Sequence, residues 1–136
     1  MEKLSSILLV DDDSTNNFLN ELLLKQLGVT DHVLTAEDGA QALNMLTQTD
    51  NPVEPALLLL DVNMQGMNGI EFLEAYKQLP LAQSAPTVII MLTTTMDARD
   101  PSRLDELGIA GLVSKPLTKE KINDILQLHF RRTLPA

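Results

Sequence analysis

Ala56-Leu57-Leu58-Leu59-Leu60-Asp61 is the stretch that most restricts what this chain can become. Its four consecutive leucines are far too few to span a membrane. They are continuous rather than alternating, which is the pattern of a strand buried on both faces. Such a strand belongs in the middle of a parallel sheet, and the carboxyl ends of these strands are where α/β proteins keep their ligands. Asp61 stands at that end, ahead of Val62-Asn63-Met64-Gln65-Gly66-Met67-Asn68-Gly69. Taken alone, it reads equally well as a turn or cap aspartate.

The rest of the chain supplies the neighbours that such a strand requires. Ser6-Ile7-Leu8-Leu9-Val10 is a second buried run. It ends in Asp11-Asp12-Asp13-Ser14, where Asp13 or Ser14 suits a helix N-cap. Phe18, Leu19, Leu22, Leu23 and Leu27 recur at helical spacing and mark one apolar face, with Gly28 placed as a C′ stop. His32 to Ala36 reads as a short strand. Asp38-Gly39-Ala40-Gln41 has the spacing of a capping box and opens a helix that turns Ala42, Leu43 and Leu46 inward. After the central strand, Asn68-Gly69 opens a helix with Ile70, Phe72, Leu73, Tyr76 and Leu79 on its apolar face.

Thr87 to Leu92 is a fourth strand, β-branched and unalternating, running into Thr93-Thr94-Thr95. Asp100-Pro101 starts a short helix around Leu104 and Leu107, which Gly108 closes. Ile109 to Val113 is a fifth strand, broken by Gly111 and followed by Ser114-Lys115-Pro116. Thr118 caps a last helix with Ile122, Ile125 and Leu126 facing the core. Five strands alternating with five helices predict a doubly wound α/β fold with a mostly parallel sheet.

Composition sets the outer bounds. A chain of 136 residues, 44% hydrophobic, predicts one domain over 1–136, with a core from about residue 5 to 131 and no output domain. Cysteine is absent, which excludes a disulfide framework and thiolate chemistry. No signal peptide or membrane-length apolar run is present, so a cytoplasmic location is expected. A net charge of −9 argues against a nucleic-acid surface, and Arg99/Arg103 and Arg131/Arg132 are too few to reverse it. Aromatic content of 3% leaves no stacking platform. His32 and His129 read as a strand start and a continuation of the last helix's stripe. Most methionines read as core filler, although Met64 and Met67 in the loop after Asp61 could meet a partner.

In a parallel sheet the carboxyl ends of all strands share one edge. That edge gathers Asp11 and Asp12, Asp61, Thr93 and Lys115. Two carboxylates about 5 Å apart at an effective dielectric near 20 repel by roughly 3 kcal/mol, so such a cluster calls for a cation. An oxygen-only, carboxylate-rich donor set suits Mg²⁺ or Mn²⁺. A carboxylate beside that metal can act as a nucleophile toward phosphorus, with Lys115 and the Thr93 hydroxyl donating to the transferred group. Singly, each residue has a blander reading: helix-start charges, a strand-end threonine, a surface lysine. Jointly, their place at the ends of successive strands favours phosphoryl chemistry.

These same residues resemble the receiver domains of two-component response regulators. Ile7-Leu8-Leu9-Val10-Asp11-Asp12 is similar to the family's opening acid pair, and Leu59-Leu60-Asp61-Val62-Asn63-Met64 to its phosphoacceptor segment. Met91-Leu92-Thr93 and Ser114-Lys115-Pro116 resemble its strand-4 hydroxyl and Lys-Pro motifs. The resemblance implies a flavodoxin-like sheet of order 2-1-3-4-5 flanked by five helices. It implies that Asp61 accepts phosphate from a phosphohistidine of a sensor histidine kinase or histidine phosphotransfer protein. Asp12, Asp61 and the Asn63 backbone carbonyl would hold Mg²⁺, with Asp11 acting through water. Lys115 would pair with Asp61 or the phosphoryl group, Thr93 would move toward it, and the peptide before Pro116 would be cis. A downstream protein, unnamed by the sequence, would receive the signal, and a stand-alone receiver is expected.

The chain also departs from the family's usual pattern. Thr94, beside Thr95 at the rim, stands where Ala or Gly is common and narrows access to Asp61. Leu112 replaces the usual inward-swinging aromatic, so the response is expected in 94–107 rather than at residue 112. Gly66 replaces a frequent Pro and loosens the acceptor loop. A phosphatase with an aspartyl nucleophile is the enzymatic alternative, but Asn63 stands where those enzymes carry a second Asp. A docking module that is never phosphorylated is the other alternative, and the intact residue set weighs against it.

Overall fold

The structure, a computed structural model, describes residues 2–47, 54–61, 64, 67, 69–79, 87–93 and 108–134. In chain order these residues form β1 (Ile7–Val10), α1 (Ser14–Gln26), β2 (Val33–Ala36), α2 (Gly39–Thr47), β3 (Leu57–Asp61) and α3 (Gly69–Lys77). β4 (Val88–Thr93), β5 (Gly111–Ser114) and α4 (Lys119–Phe130) complete them. The strands make one sheet of order β2-β1-β3-β4-β5, and every neighbouring pair is parallel. This is the doubly wound, flavodoxin-like arrangement. Four helices are seen among the described residues; the short helix expected near Leu104 and Leu107 lies outside them.

The leucine run explains itself once both faces of the sheet are considered. Leu57 and Leu59 pack on one side with Ile7, Leu9 and Ile90, under Leu24 of α1 and Ile122, Ile125 and Leu126 of α4. Leu58 and Leu60 pack on the other with Leu8, Val10 and Met91, under Ala42 and Leu46 of α2 and Phe72 and Leu73 of α3. Alternate side chains serve opposite cores, so no position tolerates a polar residue. Burying each such leucine stabilises the fold by roughly 1.5–3 kcal/mol.

Helix α1 docks through only part of the apolar stripe its sequence suggests. Phe18 (63%), Leu19 (53%) and Leu22 (43%) are exposed, while Asn17 and Leu24 are the helix's buried residues. Leu23 and Leu27 are half-buried against the core. The buried face also carries the Asn17 amide, whose Nδ2 donates to the Asp11 carbonyl (3.0 Å) and the Ala36 carbonyl (3.2 Å). Satisfying those strand-end carbonyls turns Asn17 toward the sheet. Leu24, almost two full turns on, follows it.

The ends of the elements obey local rules. Asp13 is the N-cap of α1, its carboxylate accepting from the Thr15 and Asn16 amides. Gly28 stops that helix in the left-handed region at φ 69°. At α2, Asp38 accepts from the Gln41 amide, but Gln41 reaches back to the Glu37 amide, one residue beyond a standard box. β5 starts at Gly111 rather than being broken there. Gly111 pairs with Ile90, and a Cβ at 111 would stand 3.2 Å from the Ile90 Cδ1. No helix among the described residues is long and apolar enough to cross a membrane.

Candidate functional site

The sheet delivers the expected residues to one edge. Asp61 ends β3 and Thr93 ends β4, while Asp11 and Lys115 immediately follow β1 and β5. Asp11, Asp61 and Thr93 are buried; Asp12 is exposed. Asp11, Asp12 and Asp61 each present a carboxylate oxygen within 4.8 Å of the others.

Among the described residues Lys115 supplies a cation to this cluster. Its Nζ lies 3.1 Å from Asp11 Oδ2 and 3.2 Å from Asp61 Oδ1, bridging two strands that are neighbours in the sheet. Burial works to lower its pKa, but the bond to Asp11 and the charges of Asp11 and Asp61 outweigh it and hold the ammonium above its ordinary value. Asp11 is engaged on both oxygens, since Oδ1 accepts from the Asp13 amide at 2.9 Å. The Lys115 amide donates to the Thr93 carbonyl at 2.7 Å, which ties the lysine's backbone to β4.

Among the described residues, three carboxylates share this partly buried place with the Lys115 ammonium. That donor set, all oxygen, fits a hard divalent cation such as Mg²⁺. Asn63, whose carbonyl was expected to join it, and Thr94 and Thr95 at the rim lie outside the described residues. Leu112 is half-buried in β5, paired with Met91 and packed against the core under α2 and α3. The Lys115–Pro116 peptide is cis, as the family resemblance implied.

Some parts of the site are not among the residues singled out from sequence. Asn17, described above, fastens the Asp11 carbonyl. An Asn inside a helix has poor propensity and competes for backbone groups, which is a signal that it has something else to do. Lys121 donates through Nζ to the Ser114 and Pro116 carbonyls at 2.7 and 2.9 Å. A lysine three residues after a Thr cap opposes the helix dipole, and that mismatch was the available signal. Gly39, at the start of α2, gives room to Met67: a Cβ there would lie 2.8 Å from the Met67 Cγ and Sδ. Beside Lys115 a cavity of 460 Å³ opens between α1 and the segment that follows β5, bounded by Leu19, Leu23, Leu92 and Leu117 among others.

Comparison with known proteins agrees with this geometry. The profile of the response regulator receiver domain matches residues 7–127. A probable chemotaxis protein CheY of Rhizobium etli is 32% identical over 124 residues, covering 91% of either chain. The transcriptional regulatory protein CpxR of Escherichia coli is 36% identical over 130 residues, which are 96% of this chain and 51% of that one. Among solved structures, a two-component response regulator from Cytophaga hutchinsonii superposes with a TM-score of 0.83 at 27% identity, covering 96% of this chain and all of the other. The chain belongs to the response regulator receiver domain family.

Proposed function

We propose that this domain is a phosphorylation switch in which Asp61 accepts a phosphoryl group from a phosphohistidine. The donor would be a sensor histidine kinase or a histidine phosphotransfer protein. The observation that carries this reading is the Asp61 carboxylate at a strand end, beside two further carboxylates and 3.2 Å from the Lys115 ammonium. A P–O bond to Asp61 forms as the donor's P–N bond breaks, and the departing imidazole takes up a proton. Lys115 is placed to receive the phosphoryl oxygens, and Thr93 ends the adjoining strand. Asp12 and Asp61, with Asp11 behind them, would hold Mg²⁺, which when bound neutralises charge on the transferred group. Asn63 in place of a second acid favours a long-lived acyl phosphate over turnover, and so a signalling switch rather than a phosphatase. A protein partner would then read the changed surface.

Acetyl phosphate with Mg²⁺ should add one phosphate by intact mass, mapped to Asp61 and absent from Asp61→Asn. Phosphate found on Asp11, Asp12 or a hydroxyl would refute the assignment. Rapid multiple turnover would favour the phosphatase, and no uptake the docking module.

A further inference from the structure

We propose that Lys121 is a positioning residue, holding the backbone on both sides of Lys115 and thereby setting where that ammonium reaches. The inference rests on the function proposed above. Lys121 lies in the first turn of α4, where the dipole disfavours a cation. Its amide donates to the Thr118 cap at 3.3 Å, and its side chain folds back out of the helix. The ammonium lands on the Ser114 carbonyl at 2.7 Å and the Pro116 carbonyl at 2.9 Å, the residues immediately before and after Lys115.

The amide between those two carbonyls is already fixed, since Lys115 donates to the Thr93 carbonyl at 2.7 Å. The three-residue segment is thus held from β4 through its amide and from α4 through a charged donor. Charge-assisted bonds of this kind are stronger than neutral ones. With its base fixed, the Lys115 side chain has a restricted set of directions. The one it takes puts Nζ between Asp11 and Asp61 at 3.1 and 3.2 Å. Once the Lys121 donors are removed, both carbonyls turn to water and the base of Lys115 is free to shift. A lysine that is displaced even slightly loses the geometry on which phosphoryl transfer depends.

The test is a cycle of variants of the whole chain, with acetyl phosphate and Mg²⁺ and the rate of mass gain as readout. Lys121→Met should lower the saturating rate roughly tenfold while leaving the half-saturating concentration nearly unchanged. Lys121→Arg, which can also reach two carbonyls, should recover most of that loss. In a Lys115→Met background the same Lys121→Met change should cost no more than about twofold, because its effect passes through Lys115. An equal loss in both backgrounds would mean that Lys121 only supports the fold, and no loss in the first would remove its role altogether. Backbone amide spectra of the resting protein separate this from the function itself. If the unsubstituted chain takes no phosphate, the switch reading fails. The positioning role then stands or falls on whether Lys121→Met shifts the Ser114, Lys115 and Leu117 amides.

Discussion

Helices α1 and α4 cover the same face of the sheet, yet they are held to it by different physics. α4 inserts Ile122, Ile125 and Leu126 into a shared core with Leu9, Leu57 and Leu59. α1 buries one leucine and one asparagine and leaves Phe18, Leu19 and Leu22 outside. α4 is held by packing; α1 adds two hydrogen bonds to the ends of β1 and β2 to the packing of Leu23, Leu24 and Leu27. Those bonded carbonyls belong to Asp11 and Ala36, so the helix is fastened to the backbone of the site. The difference teaches that an apolar stripe locates only part of a docked face when a buried polar side chain shares that face.

Breaking the packed helix should cost most. Leu126→Ala removes a fully buried side chain and should destabilise the domain by about 2–5 kcal/mol in denaturant titration. Asn17→Ala should cost less, about 1–3 kcal/mol, because it leaves the Asp11 carbonyl short of a donor. It should also slow phosphate uptake on Asp61 more than Leu126→Ala does at a temperature where both remain folded. Equal slowing by the two would show that the asparagine acts on stability alone.

A smaller effect should appear with alkali, because Lys115 links the residue that leads into α1 with the segment that leads into α4. Its pKa is raised in the fold, so its stabilisation is complete below the unfolded value of about 10.4 and is lost as pH climbs through the higher folded value. The stability difference between the unsubstituted chain and Lys115→Met should therefore be flat from neutrality to about pH 10 and shrink above it. A difference that shrank between pH 7 and 9 would contradict the ion-pair geometry. The smallest change should come from Leu22→Ser on the outer face of α1, within about 0.5 kcal/mol. A larger loss would mean that this face is covered in solution.

The same contrast explains how much of the molecule was legible in its sequence. Strands buried on both sides read plainly, because Leu57–Leu60 and Ile7–Val10 allow no polar interruption. Parallel topology alone then brings Asp11, Asp12, Asp61, Thr93 and Lys115 to one edge. The docked face of α1 was only partly legible, since Leu23 and Leu27 of its stripe pack on the core while Phe18, Leu19 and Leu22 stay outside and Asn17 goes in. Nor was the Lys121 bridge, whose partners are carbonyls that become neighbours only when the chain turns after β5. Gly111 looked like an interruption and is the start of an edge strand, because the space it leaves is filled by Ile90 from the next strand. Side chains that bond to backbone carry little periodicity, and periodicity is what a sequence displays best.

Gly39 has a bearing on where Met67 can sit. Met67 rests against a position where even one methyl group would intrude. Gly39→Ala would work as a wedge, shifting Met67 while leaving each carboxylate, ammonium and hydroxyl chemically unchanged. Residue 39 thus acts on Met67 by volume alone, whereas the carboxylate cluster is governed by charge. Graded side-chain volume there would shift Met67 in steps, in the way that a shim sets the gap of a relay contact.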